Sequence, residues 1–150
     1  MLNAVAVTTV VVFGMLVGVE FAIAVFVNPI MDRIPDDAGV AARSDGARVL
    51  GRVMPFWYIG TLAFAILWTI LGWGDTTAWM TLGASVLLLV SVVMSVLLLV
   101  PINNRSIRWA EEGAPPDWKE QADTWDRYHY VRVGVIALGF ILSAVGLLLI

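Results

Sequence analysis

The sequence predicts an all-α fold: a four-transmembrane-helix bundle with a short amphipathic cytoplasmic helix and a long fourth helix. Three observations carry this expectation. Four apolar segments, at about residues 3–27, 55–73, 78–100 and 131–150, each come near the ~20 residues a helix needs to cross the hydrocarbon core. Charged residues make up 14% of the chain and apolar ones 60%, whereas a soluble domain carries roughly a quarter charged residues. The nine basic residues are confined to the two stretches between the first and second and between the third and fourth segments, and to the start of the fourth. The 150 residues are read as one integral membrane domain, with connections at 28–54 and 101–130.

The first segment lacks a basic leader and a small-residue cleavage pattern, so it reads as a retained span. Gly14 and Gly18 form a G-x-x-x-G pair suited to close helix packing. In the first connection, Asn28-Pro29 and Pro35 read as breaks, and Asp36-Asp37 can open a short helix. Val49, Leu50, Val53 and Met54 then alternate with Arg43, Asp45, Arg48 and Arg52, which predicts an amphipathic helix at the interface or folded under the bundle. Glycines at 39, 46 and 51 make that helix dependent on its surroundings. Pro55 opens the second span, and the turn GWGDTTAW leads into the third.

Pro101 is expected to end or kink the third span, and Gly113-Ala114-Pro115-Pro116 to form a loop. Asp117 and Glu120 match a D-x-x-E capping box. A helix starting at Trp118 can run unbroken to Ile150, about 50 Å at ~1.5 Å per residue. That exceeds the bilayer core, so its first turns stand among the headgroups. Trp57, Trp68, Trp73 and Trp79 lie mostly at span ends and read as interfacial anchors.

The positive-inside rule places both long connections in the cytoplasm and both termini outside, in a multi-pass protein of the cell membrane. Membrane lipid is the first partner. The net charge of −3 gives no reason to expect nucleic acid. Without cysteine there are neither disulfides nor thiolate metal sites. Asp123, Asp126 and His129 are spaced by three, but a di-iron bundle needs a second Glu-x-x-His helix and the chain has one histidine. With no G-x-G-x-x-G or Walker pattern either, no metal and no cofactor is expected.

Glu20 is the sharpest anomaly: a carboxylate inside GMLVGVEFAIAVFV, where it must be paired, hydrated or protonated. In WDRYHYVR, Trp125, His129 and Arg132 share one helix face, with Trp118 on the same stripe. Arg132 lies deep enough to require a partner, and Glu20 is at a similar depth. The stripe is therefore expected to face a flat, mostly apolar cavity at the cytoplasmic mouth, with Asn103 and Asn104 opposite.

The stretches GVEFAIAVFVNP, GRVMPFWY, VPINNRSIRW and DWKEQADTWDRYHYVR resemble the anthrone-oxygenase-like family of small four-span membrane proteins. The resemblance implies that the family's recurring polar positions fall on Asn28, Asn103, Asn104, Trp125, His129 and Arg132. A few members oxidise an anthrone to an anthraquinone with dioxygen, without a known metal or flavin. The implied activity is cofactor-independent oxidation of an activated polycyclic phenol, with an aromatic small molecule as substrate. That chemistry needs a base, a donor for an enolate oxygen and a dry aromatic slot. His129 suits the base. Arg132 or Arg48 suits the oxygen, Asn103 or Asn104 the ring hydroxyls, and Trp57 and Trp125 the stacking walls. The other class is non-catalytic: an accessory subunit, lipid-binding module or small carrier, in an oligomer or a larger membrane complex.

Overall fold

The computed structural model describes residues 1–150, with the side chain of Asp36 outside the described residues, and with it that residue's expected capping role. Four helices are long and apolar enough to cross a membrane. We label them α1 (Leu2–Met31), α2 (Asp36–Leu71), α3 (Thr76–Glu112) and α4 (Trp118–Leu148). Each packs on its chain neighbours, and α1 closes the ring against α4. The outer surface carries Val7, Val11, Met15, Phe21, Ile66, Ile70, Leu89, Val93, Leu138 and Ile141. An apolar surface on that scale suits acyl chains and not water.

Two of the expected breaks are absent. α1 passes through Pro29 and α3 through Pro101. In each case a π-helical turn ends just before: Ile23–Val27 ahead of Pro29, and Ser95–Leu99 ahead of Pro101. The wider turn accommodates the missing proline N–H and lets the helix resume. The real break after α1 is the turn at Asp32–Pro35.

The separate short amphipathic helix is also corrected. Residues 40–54 are the first half of the continuous 36-residue α2, which runs through Pro55. A proline ring presses on the carbonyl four residues earlier, and here that residue is Gly51, which has room to adjust. The half-helix is held from outside. Arg43 pairs with Asp32 and with Asp126 at 2.8 Å, and the Ser44 hydroxyl donates to the Ile107 carbonyl at 2.8 Å.

α4 starts at Trp118 as its sequence predicts, but the capping box does not form. Asp117 makes no side-chain cap and instead accepts from Gln121 Nε2 at 3.1 Å. Gly113, at φ 89°, supplies the backbone turn between α3 and α4, and Trp109 packs edge-on against Trp118 across it. Of the expected anchors, Trp73 and Trp79 are exposed and pack against each other. Trp68 is fully buried, so it is a core residue.

The core holds Phe13, Leu16, Met54, Tyr58, Ala65, Ala84, Leu88 and Ile136. Small residues let α3 and α4 approach closely around it. Thr77 Oγ1 donates to the Gly146 carbonyl at 3.0 Å, and a Cβ on Gly139 would lie 3.5 Å from the Ala84 carbonyl on α3 and 3.0 Å from Phe13 Cζ on α1. Gly14 faces Phe140 in the same way, but Gly18 has nothing within 4 Å, so the G-x-x-x-G pair is not a seam within this bundle. Gly139→Leu is expected to destabilise the protein by about 1–3 kcal/mol through overpacking. Thermal unfolding in detergent measures this, and an unchanged midpoint would contradict the close crossing.

Candidate functional site

Glu20 and Arg132 meet inside the bundle. Arg132 Nη2 donates to Glu20 Oε2 at 2.7 Å, and the carboxylate is 1% exposed. Nη1 donates to Ser95 Oγ at 2.8 Å, and the group lies over the Tyr58 ring. Ser95 opens the π turn of α3, which aims its hydroxyl inward. A π turn is often found at a functional position.

His129 is fully buried, and its two neighbours define its protonation. Nε2 lies 3.1 Å from the Glu20 backbone carbonyl, which can only accept, so Nε2 carries the hydrogen. Nδ1 lies 2.9 Å from Arg132 Nη2, which can only donate, so Nδ1 accepts. Nδ1 is also 3.4 Å from Glu20 Oε2. The shorter contact from an obligate donor decides the matter, and the ring is neutral. Trp125 stacks on it at 4.6 Å between centroids. Both ring nitrogens are therefore engaged. Two α1 carbonyls, one before the π turn and one within it, take bonds from α4: Glu20 from His129, and Ala24 from Tyr130 Oη at 2.7 Å.

Beside this cluster is a cavity of about 240 Å³. Its polar liners are Glu20, Tyr58, Ser95, Asn103, Trp125, His129 and Arg132, and the rest of its wall is apolar, with Ile23, Met54, Val92 and Leu99 among the liners. Among the described residues, seven buried side-chain polar atoms have no partner. Four belong to residues lining this cavity: Glu20 Oε1, Tyr58 Oη, Trp125 Nε1 and Arg132 Nε. Each such atom costs about 1–3 kcal/mol when left unpaired, so their clustering is a feature that needs a reason. Together they are one carboxylate acceptor, two N–H donors and a phenol hydroxyl, buried on residues of the cavity wall.

The sequence-predicted residues divide into two groups. Glu20, Asn103, Trp125, His129 and Arg132 line the cavity. The other four lie elsewhere. Asn104 is exposed. Arg48 faces Asp45 and Glu111 at 3.5 and 3.4 Å. Trp57 donates to the Val12 carbonyl at 3.3 Å and packs against the core. Asn28 donates to Asp126 Oδ1 at 2.7 Å in the Arg43 cluster and lines a neighbouring 60 Å³ cavity. Tyr58 and Ser95 were not singled out from the sequence. Tyr58 carried a signal, as a phenol inside an apolar span four residues beyond Met54 and so on the same face.

The fold and this cluster define a class: an integral membrane four-helix bundle with a buried Glu–Arg–His network opening onto an apolar cavity. The chain belongs to the anthrone oxygenase family, whose model matches residues 48–142. The match takes in Tyr58, Ser95, Asn103, Trp125, His129 and Arg132 and leaves Glu20, on α1, outside it. No curated protein and no solved structure matches the chain.

Proposed function

We propose that this protein oxidises an activated polycyclic phenol or anthrone-like compound with dioxygen, using its own side chains and no cofactor. One observation carries the reading: a buried carboxylate oxygen without a partner, Glu20 Oε1, and a buried unpartnered guanidinium N–H, Arg132 Nε, on residues that line one cavity. A base beside a cationic donor is what forming an enolate requires.

In the proposed sequence, Glu20 takes a proton from the methylene next to the aromatic rings, and its electron pair moves onto the carbonyl oxygen as an enolate. Arg132 Nε–H and Trp125 Nε1–H donate to that oxygen. The enolate passes one electron to dioxygen, and the resulting carbon radical and superoxide combine into a C–O bond. Protonation gives a hydroperoxide. The second methylene proton then leaves, the O–O bond breaks, one oxygen remains as the new carbonyl and the other departs as water.

His129 has both nitrogens occupied, so the geometry supports it as a positioning residue that fixes Arg132 and α1, with Glu20 as the base. Oxygen-dependent formation of a quinone from a hydroxylated anthrone by purified protein tests the activity. Product is expected in air and none under nitrogen. Equal rates with and without protein would end the reading. His129→Ala is expected to lower turnover through misplacement of Arg132. A solvent-exposed bundle with lost activity and lost melting cooperativity would instead mark it as structural.

The same proposal places the cluster toward the cytoplasm, because the basic residues lie at that end of the chain's topology. Reporter fusions at residues 40 and 110 should register as cytoplasmic and a C-terminal fusion as external. A cytoplasmic C-terminus would reverse the orientation.

A further inference from the structure

The exposed liners of the cavity lie on two of the four helices. Its liners on α1 and α4 are buried or half-buried: Glu20, Ile23, His129 and Arg132 are all in the interior. The liners that reach the outer surface sit on α2 and α3. Ile59 is 62% exposed and Val96 58%, with Pro55 and Val100 beside them. These four are apolar, and Ile59 and Val96 lie a turn inside the apolar runs that Pro55 opens and Val100 closes, so this side of the cavity faces acyl chains. Gly51 leaves the lower edge of the gap without a side chain, and nothing lies within 4 Å of where its Cβ would be.

We infer that the cavity is loaded sideways from the bilayer, through the seam between α2 and α3. Its ligand is then a compound dissolved in the membrane: small, mostly apolar, and carrying a hydroxyl or carbonyl oxygen at one end. An acyl chain alone does not fit this description, because it would leave Glu20 Oε1 and Arg132 Nε without partners. A strongly hydrated compound does not fit either, because it would have to shed its water to pass Ile59 and Val96. The identity of the site rests on the oxygenase reading, but the route can be tested by binding alone.

The test uses full-length protein in lipid nanodiscs and 2-naphthol, a fluorescent phenol that partitions into bilayers, followed by stopped-flow mixing. The gate is narrowed in the double variant Ile59→Trp/Val96→Trp. Both positions face lipid, so an unchanged melting temperature is expected and serves as the folding control. A gate changes the barrier and not the bound state. Association and dissociation should therefore both slow by at least about tenfold. The sulfonated analogue, 2-naphthol-6-sulfonate, should load far more slowly in the wild type. Unchanged rates in the double variant, or loading of the sulfonate as fast as the phenol, would overturn the sideways route. Absence of saturable 2-naphthol binding in the wild type would overturn both the route and the site. Gated 2-naphthol binding with no oxygen-dependent turnover of any anthrone would reject the oxygenase reading and leave the route standing.

Discussion

Replacing Glu20 with leucine is expected to destabilise the protein by about 3–5 kcal/mol, because the change strands the buried Arg132 charge. The guanidinium lies among α1, α3 and α4, and only Ser95 and the His129 ring would remain as partners at hydrogen-bond distance. Glu20→Gln should behave differently. Its amide oxygen can still accept from Arg132, so the bundle should retain most of its stability. The base is lost, however, and turnover should fall about 10²–10⁴-fold. Thermal unfolding in detergent and quinone formation in air separate the two effects. A glutamine variant with wild-type turnover would remove Glu20 from the chemistry. A leucine variant that melts like the wild type would mean that the ion pair is not buried in solution.

Arg132→Lys is expected to lower turnover by about 10²–10³-fold while the protein still folds, as loss of a preorganised donor to a developing oxyanion does. The guanidinium reaches Glu20, Ser95 and His129 from two nitrogens and leaves Nε without a protein partner. An ammonium is a single point on a flexible stem and cannot hold that fork. Lysine would retain the charge that balances Glu20, so stability should change much less than activity. A companion variant sharpens the point: Glu20→Leu/Arg132→Leu should be more stable than either single leucine change, because neither charge is left unpaired. If the double variant is the least stable of the three, the pair is not energetically coupled. If lysine supports full turnover, charge alone suffices and the donor geometry has been misassigned.

Much of the site could be read in the chain because it depends on helix periodicity. Trp125, His129 and Arg132 line one cavity because they share one helix face. Glu20 stood out because a carboxylate in an apolar run has few options, and its partner was named from depth alone. The residues placed wrongly are those where two orientations were equally compatible with the local sequence. Asn103 and Asn104 are adjacent and so about 100° apart on a helix, and only the rotation of α3 brings Asn103 inward. Arg48 and Trp57 sit on a helix whose neighbours were unknown, and their nearest partners, Glu111 and the Val12 carbonyl, come from distant parts of the chain. His129 looked like a base because a lone histidine ordinarily is one. Its two bonds, to α1 and to Arg132, occupy both ring nitrogens, which is why the proposed base is the carboxylate it helps to hold.

The sequence by itself determined the four apolar helices, their order, the deep carboxylate and the stripe on the last helix, because hydropathy and helical period are properties of a single segment. The tertiary structure decided that α1 and α3 continue through Pro29 and Pro101, where a π turn precedes each proline and α4 side chains bond beside or within it: His129 to the Glu20 carbonyl, and Arg132 to the Ser95 hydroxyl. It also decided which polar atoms are left over. Glu20 and Arg132 lie 112 positions apart, and whether Oε1 and Nε find partners depends on how four helices are rotated against one another, which no single segment encodes.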